Sequence, residues 1–227
     1  MPRTAVLLLA AGSGTRVGAS SNKVLLPLAG APVLVWSLRT ITSLEYVDRL
    51  VVVHRDEDRD AIAEIVLGEL PDGHEATLVS GGATRHDSEW RGLQVLGADV
   101  EAGRLDVVAI HDAARPLAGP ALFDATVRAA QEHGGGLPTR PQHGLLPRGS
   151  GGPVAGLVGV QAPQAFAAAA LFDAYTRADA EGFRGTDTAS CVARYTDLTV
   201  RAVPAPATNV KITFADDVAL AARLLDA

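Results

Sequence analysis

Two residues stand apart in this chain because of what they are not. Of its 20 lysines and arginines, only Lys23 and Lys211 are lysine. A sequence that places arginine almost everywhere a cation is wanted keeps lysine where a compact charge on a flexible stem has a use. Chance retention on a solvated surface is the plain alternative. Lys23 follows Ala10-Ala11-Gly12-Ser13-Gly14-Thr15-Arg16-Val17-Gly18. A glycine turn after a strand lets backbone N–H groups approach a phosphate closely, and Arg16 adds an always-charged fork of donors. The spacing G-x-G-x-x-x-G is one residue longer than a dinucleotide fingerprint, and no Gly-Lys-Ser/Thr follows, so this is not a P-loop. A turn needed only for chain reversal would look the same.

Three other segments bear polar groups in similar settings. Ile110-His111-Asp112-Ala113-Ala114-Arg115-Pro116 ends an apolar run. Asp112 there could help hold Mg²⁺, a hard cation that prefers oxygen, and Arg115 could grip a phosphate. Equally, the two could form a structural ion pair, and His111 reads as a packed histidine more readily than as a general base. In Gly81-Gly82-Ala83-Thr84-Arg85-His86-Asp87-Ser88, Ser88 and the backbone could meet a base edge, or Thr84 and Ser88 could simply cap a helix. Asn209-Val210-Lys211-Ile212-Thr213 is the last polar loop with a positive charge. The chemistry common to these segments is phosphate binding and charge stabilisation.

Such loops need a frame. Val6–Leu9, Leu50–Val53, Ala76–Val79 and Val107–Ile110 read as strands, the first a continuous apolar run suited to burial on both faces. Helical character falls on Pro32–Ile41, with Pro32 in the first turn, and on Asp58–Leu70, Ser88–Leu96 and Leu122–Glu132, the last stopped by Gly134-Gly135-Gly136. The alternation predicts an α/β fold with a mostly parallel sheet and helices on both faces. It breaks between Leu137 and Gly156, a stretch rich in proline and glycine that reads as a projecting arm or irregular loop. Beyond it, strands are expected at Leu157–Val160, Leu198–Val203 and Val210–Ile212. Helices are expected around Phe166–Arg177, Ala189–Arg194 and Asp216–Leu225.

Composition sets the outer limits. A chain of 227 residues, 48% hydrophobic and 20% charged, suits one globular domain spanning 1–227. A net charge of −6 provides no basic field to recruit nucleic acid or anionic membrane. Cys191 is the only cysteine, so no internal disulfide forms; a small thiol packed in a helix explains it. Without a long apolar run the expected location is the cytoplasm.

Taken together and in order, the four loops resemble the 2-C-methyl-D-erythritol 4-phosphate cytidylyltransferases of the non-mevalonate isoprenoid pathway. The family's glycine-rich opening is similar to Ala10–Gly18, and its catalytic lysine falls on Lys23. Its G-G-x-x-R-x-x-S matches Gly81, Gly82, Arg85 and Ser88, and its H-D-A-A-R-P is repeated in full by His111–Pro116. T-D-x-A-S matches Thr186, Asp187, Ala189 and Ser190, and N-x-K-x-T matches Asn209, Lys211 and Thr213.

The resemblance implies a Rossmann-like α/β domain whose arm, at about 138–158, exchanges contacts in a homodimer. It implies transfer of CMP from CTP to a phosphorylated polyol, with Mg²⁺ at the triphosphate. Catalytic roles then fall on Arg16, Lys23 and Lys211. Nucleotide contacts fall on Ala10, Ala11, Gly12, Ser13, Gly14, Thr15, Gly81, Gly82, Arg85, Ser88 and Ala113. Acceptor contacts fall on Asp112, Arg115 and Thr186, with Asp112 also toward the metal. Several positions depart from the family pattern. Asn22 stands where proline usually precedes the lysine, and Glu89 where an apolar residue usually follows Ser88. Pro141–Pro147 lacks the arm's Asp-Thr pair. Ala162-Pro163-Gln164 replaces T-P-Q, and the arm arginine falls near Val154, leaving Arg140 or Arg148 as substitutes. A paralogue for another acceptor (a pentitol phosphate or a phosphonate) and a non-catalytic nucleotide binder are the alternative readings.

Overall fold

The computed structural model describes residues 1–12, 22–142 and 156–226. At its centre lies β1 (Thr4–Leu9), with β4 (Val47–His54) on one side and β6 (Val107–Asp112) on the other, both parallel to it. The strand has no polar face because both faces are covered. Val6 and Leu8 enter one hydrophobic cluster, Ala5 and Leu7 the other, and all four are fully buried. Burying each Val or Leu side chain contributes about 1.5–3 kcal/mol, so this strand anchors the two layers.

The short strands β2 (Pro27–Leu28) and β3 (Ala31–Pro32) pair with each other, and β5 (Ala76–Ser80) extends the main sheet beyond β4. Helices α1 (Val33–Thr42), α2 (Arg59–Glu69) and α4 (Pro120–His133) cover one face; α3 (Arg85–Glu101), α5 (Ala168–Ala180) and α6 (Thr188–Tyr195) cover the other. The remaining strands are β7 (Gly134–Pro141), β8 (Val158–Val160), β9 (Gln164–Ala167) and β10 (Thr199–Pro204), giving the order β10-β7-β9-β6-β1-β4-β5 with β8 on β7. β9 runs antiparallel to both its neighbours, and β8 antiparallel to β7. The sheet is therefore mixed but mostly parallel. The last helix, α7 (Ala215–Leu225), packs Ala221 with Leu28, Val33 and Ile212 in a third small cluster.

Several elements differ from the sequence expectation. Phe166 lies in β9, not in a helix: its ring is fully buried and its strand is held between β6 and β7. The three glycines do end α4, with Gly134 at φ 102°, but they also begin β7, which continues through Leu137 to Pro141. The first part of the expected irregular stretch is thus a strand, and its partner β8 lies on the far side of residues 143–155, which fall outside the described residues. Val210–Ile212 joins no sheet, although Ile212 N–H donates to Ala114 O at 2.8 Å. Pro32 caps α1 from β3 instead of starting its first turn. α3 begins three residues earlier than its apolar pattern, because Thr84 and Asp87 form a capping box ahead of it. Cys191 is buried, and burial pushes its thiol up to about 12, as suits a packing role.

Candidate active site

Ligands of such sheets collect at the carboxyl ends of the parallel strands. Here β1 ends beside Asp112 in register with Leu9, Ala10 N–H donates to Val53 O, and Gly81 N–H to His54 O, each of the latter at 2.7 Å. A cleft of about 370 Å³ opens over these ends. It is lined by Leu9, Ala11, Gly12, Lys23, Val24, Gly82, Ala83, Thr84, Arg85, Ser88, Asp112, Ala114, Lys211 and Thr213. All four loops singled out in the sequence therefore reach one cavity, and both lysines face it.

Lys23 opens a single 3₁₀ turn, Lys23–Leu25, and is largely buried. Asn22 holds that turn in place. Its Nδ2 donates to Ala10 O at 2.7 Å and to Asp58 Oδ2 at 2.8 Å, and its Oδ1 accepts from Val24 N–H at 3.3 Å. Asn22 thus ties Lys23 directly to the end of β1.

Asp112 is the charge centre of the cleft. Lys211 Nζ lies 2.7 Å from Oδ2, Arg85 Nη2 3.4 Å from Oδ1, and Arg115 Nε 3.9 Å from Oδ2. Burial alone would raise this carboxyl, but Lys211, Arg85 and Arg115 outweigh it and hold the group well below the usual carboxylate range. Arg115 itself does not line the cleft. Its Nη1 donates to Asn209 O at 2.9 Å, while Asn209 Nδ2 donates to Gln161 Oε1 at 2.9 Å and Ala162 O at 3.0 Å. These bonds fix the extended segment that carries Lys211. The Asp112–Arg115 pair is structural in this sense, whatever else it does. His111 is fully buried against Phe123, and burial lowers its imidazole to about 4. It is a packed, neutral histidine.

The Gly81–Ser88 turn has a demanding local geometry. Ser88 Oγ accepts from Gly82 N–H at 3.0 Å and donates to Thr84 O at 2.9 Å. A Cβ on Gly81 would come within 2.7 Å of the Ala11 methyl, and one on Gly82 would meet Asp87. The glycines are therefore required by close packing of this turn on Ala11 and on the start of α3.

Ala11, Gly12, Lys23, Gly82, Arg85, Ser88, Asp112 and Lys211 come together at the cleft as the motifs suggest. Ala10, Ala113 and Arg115 are buried next to the lining without forming part of it, half-buried Gly81 adjoins it, and Thr186 is exposed in the bend before α6 and is not among the lining residues. Ser13, Gly14, Thr15 and Arg16 lie outside the described residues. Val24, Ala83 and Ala114 line the cleft without any polar signal in sequence; their adjacency to Lys23, Gly82 and Arg115 was the available clue. No helix among the described residues is long and apolar enough to cross a membrane.

A cleft that gathers lysine and arginine around one carboxylate at strand ends suits a polyphosphate ligand and its displacement chemistry. The sequence profile of 2-C-methyl-D-erythritol 4-phosphate cytidylyltransferase matches residues 4–227. A protein of that name from Bacillus velezensis is 34% identical over 228 residues, spanning 98% of this chain and 95% of the relative. Another from Symbiobacterium thermophilum is 36% identical, spanning 97% and 92%. The crystal structure of 4-diphosphocytidyl-2C-methyl-D-erythritol synthase from Anaerococcus prevotii superposes with a TM-score of 0.83 at 25% identity, covering 100% of this chain and 97% of that one. The protein is a nucleotidyltransferase of the cytidylyltransferase class. Within that class, the chain belongs to the 2-C-methyl-D-erythritol 4-phosphate cytidylyltransferase family.

Proposed function

We propose that this protein transfers CMP from CTP to 2-C-methyl-D-erythritol 4-phosphate, releasing pyrophosphate. The observation that carries the reading is the convergence of Lys23, Arg85, Asp112 and Lys211 on one cleft in a chain whose relatives are so named along their length. An oxygen of the acceptor phosphate attacks the α-phosphorus of CTP in line, the bond to the β-phosphate oxygen breaks, and pyrophosphate leaves. The acceptor phosphate is already ionised at neutral pH, so no general base is required, in keeping with a buried neutral His111. The protein positions the reactants and stabilises charge. Backbone N–H groups from Gly12 to Thr15 cradle the triphosphate, and Lys23 and Arg16 stabilise the transferring and leaving phosphates. Gly82, Ala83, Arg85 and Ser88 face the nucleoside, Asp112 and Lys211 serve the acceptor, and Arg115 acts on that side through Asn209.

Among the described residues no three acidic, histidine or cysteine side chains group together to cage a metal. Asp112 is the carboxylate of the cleft wall, and it would hold Mg²⁺ only alongside the triphosphate's own oxygens, a donor set this hard ion accepts. When bound, Mg²⁺ would neutralise charge on the phosphate oxygens. The arm that begins with β7 and returns as β8 would meet a second copy of the chain in a homodimer, with Arg140 or Arg148 offered to the acceptor phosphate.

The test is pyrophosphate release with CTP and Mg²⁺ against 2-C-methyl-D-erythritol 4-phosphate, ribitol phosphate and small phosphonates, with the other nucleoside triphosphates as controls. Turnover with the first acceptor alone supports the reading. The acceptor-side departures, in the arm and at Ala162-Pro163-Gln164, favour a second reading in which another phosphorylated acceptor is used. Turnover confined to one of the other acceptors would establish it.

A further inference from the structure

Glu89 is fully buried in α3, behind the cleft wall. Buried glutamates are rare unless partnered, and three donors from three helices face this one. Arg85, one turn earlier on α3, places Nη1 in a close ion pair with Oε1. Thr188, in the first turn of α6, donates Oγ1–H to the same oxygen at 2.5 Å. Tyr175 on α5 donates its hydroxyl to Oε2 at 2.5 Å. Burial pushes the Glu89 carboxyl up, and Arg85, Thr188 and Tyr175 oppose that shift. Burial, with the Glu89 charge, also raises the Tyr175 phenol well above its ordinary value, so it stays a donor.

The consequence falls on Arg85, whose other amino group points to Asp112 Oδ1 at 3.4 Å in the cleft. Its guanidinium is held from behind by Glu89 and from the front by Asp112. Nη1 also reaches Thr188 Oγ1 at 3.3 Å. One residue along α3, His86 stacks on Tyr175 with ring centroids 4.6 Å apart, and its Nδ1 accepts from Gly185 N–H at 3.4 Å. α3 therefore grips the 185–188 segment at both ends, with Thr186 between. An apolar residue at position 89 would leave two buried hydroxyls without this acceptor and the arginine without its rear support. A buried ion pair is weak evidence of stabilisation; this one is built to place a charge.

We propose that Glu89 is a positioning residue, one that sets the Arg85 guanidinium at the cleft wall and couples it through Thr188 to the segment carrying Thr186. This rests on the reading of the cleft as the CTP site. The test is a kinetic double-mutant cycle with Glu89→Gln, Arg85→Ala and both together, measuring kcat and KM for CTP and for 2-C-methyl-D-erythritol 4-phosphate. Glu89→Gln alone should lower kcat/KM for CTP by about 10-fold or more, and by less than about 3-fold once Arg85 is absent. Equal losses in both backgrounds would overturn the proposal and leave Glu89 a structural tie. Should Glu89→Gln not fold, Tyr175→Phe replaces it in the same cycle, with the same non-additivity expected. If the wild-type protein binds CTP by calorimetry but does not turn over this acceptor, the proposed function fails, and the cycle is read from CTP affinity instead. No CTP binding by the wild type would overturn both.

Discussion

Lys211 Nζ stands 2.7 Å from Asp112 Oδ2, across 99 residues of sequence. The pair joins the end of β6 to an extended segment that belongs to no sheet. Lys211 is about one-third exposed and Asp112 mostly buried, so the lysine supplies charge at the open side of the cleft while the carboxylate sets its position. Lys211→Met should lower kcat by about 10² and cost about 1–3 kcal/mol of stability, because the buried Asp112 loses its nearest cation while Arg85 and Arg115 remain beside it. Steady-state kinetics with urea denaturation of the same variant checks both halves.

Lys23→Ala should lower kcat by about 10² to 10³ with the fold intact, the usual cost of one preorganised donor. Near-normal turnover in a variant with wild-type circular dichroism would remove Lys23 from the mechanism.

The Asn22 amide links stability to turnover. Asn22→Ala deprives Ala10 O and Asp58 Oδ2 of a buried donor and removes the cap of the 3₁₀ turn. A loss of about 1–3 kcal/mol is expected in equilibrium unfolding, together with a fall in kcat, because Lys23 is the next residue.

Arg115→Ala should raise KM for the acceptor more than KM for CTP. Its guanidinium holds Asn209 O, and hence the segment of Lys211, to which the proposed function gives the acceptor. A larger rise for CTP would mean that the two subsites are exchanged.

His111 makes stability depend on pH. Burial lowers its folded pKa to about 4, with Arg115 and Lys211 adding to the shift and Asp112 opposing it. The unfolded value is about 6.5. Between these values the unfolded chain binds the extra proton, so stability falls as pH drops through this window. The contribution lost approaches about 3 kcal/mol by pH 4. His111→Gln should flatten the dependence between pH 6.5 and 4, measured by denaturant unfolding, and leave the pH profile of kcat without a step near 6.5.

Much of the fold was legible because β1, β4 and β6 are apolar runs bounded by motif loops, and burial on both faces leaves that signature. β9 was not: Gln164–Ala167 leads into an alanine-rich helix, and only its pairing with β6 and β7 makes it a strand. β7 hid behind its own glycines. Gly135 lies against Phe166 and Val200, Gly136 against Thr126 O, and neither has room for the side chain whose alternation would reveal a strand. Val210-Lys211-Ile212 misled in the opposite way, since it alternates like a strand but joins no ladder: Val210 N–H bonds Thr208 O within its own loop and Ile212 N–H bonds Ala114 O. In the site, Lys23, Arg85, Asp112 and Lys211, drawn from four separate motifs, meet at one cleft. They did not separate residues on its wall from those behind it, because Asp112 and Arg115, three apart, differ only in how the turn after β6 directs them. Glu89 announced itself merely as a charge in an apolar place; its partners Tyr175 and Thr188 lie 86 and 99 residues away.

The Asp112–Lys211 contact also carries a chronology. A chain emerging from its amino end reaches Asp112 with Arg85 already made, and can lay β6 against β1 at once. The lysine that balances this carboxylate arrives 99 residues later, followed by the helix that seats Ile212 beside Leu28. Until then Asp112 has Arg85 and Arg115 beside it but not Lys211, so the charge balance of the cleft is completed only once the segment after β10 is made.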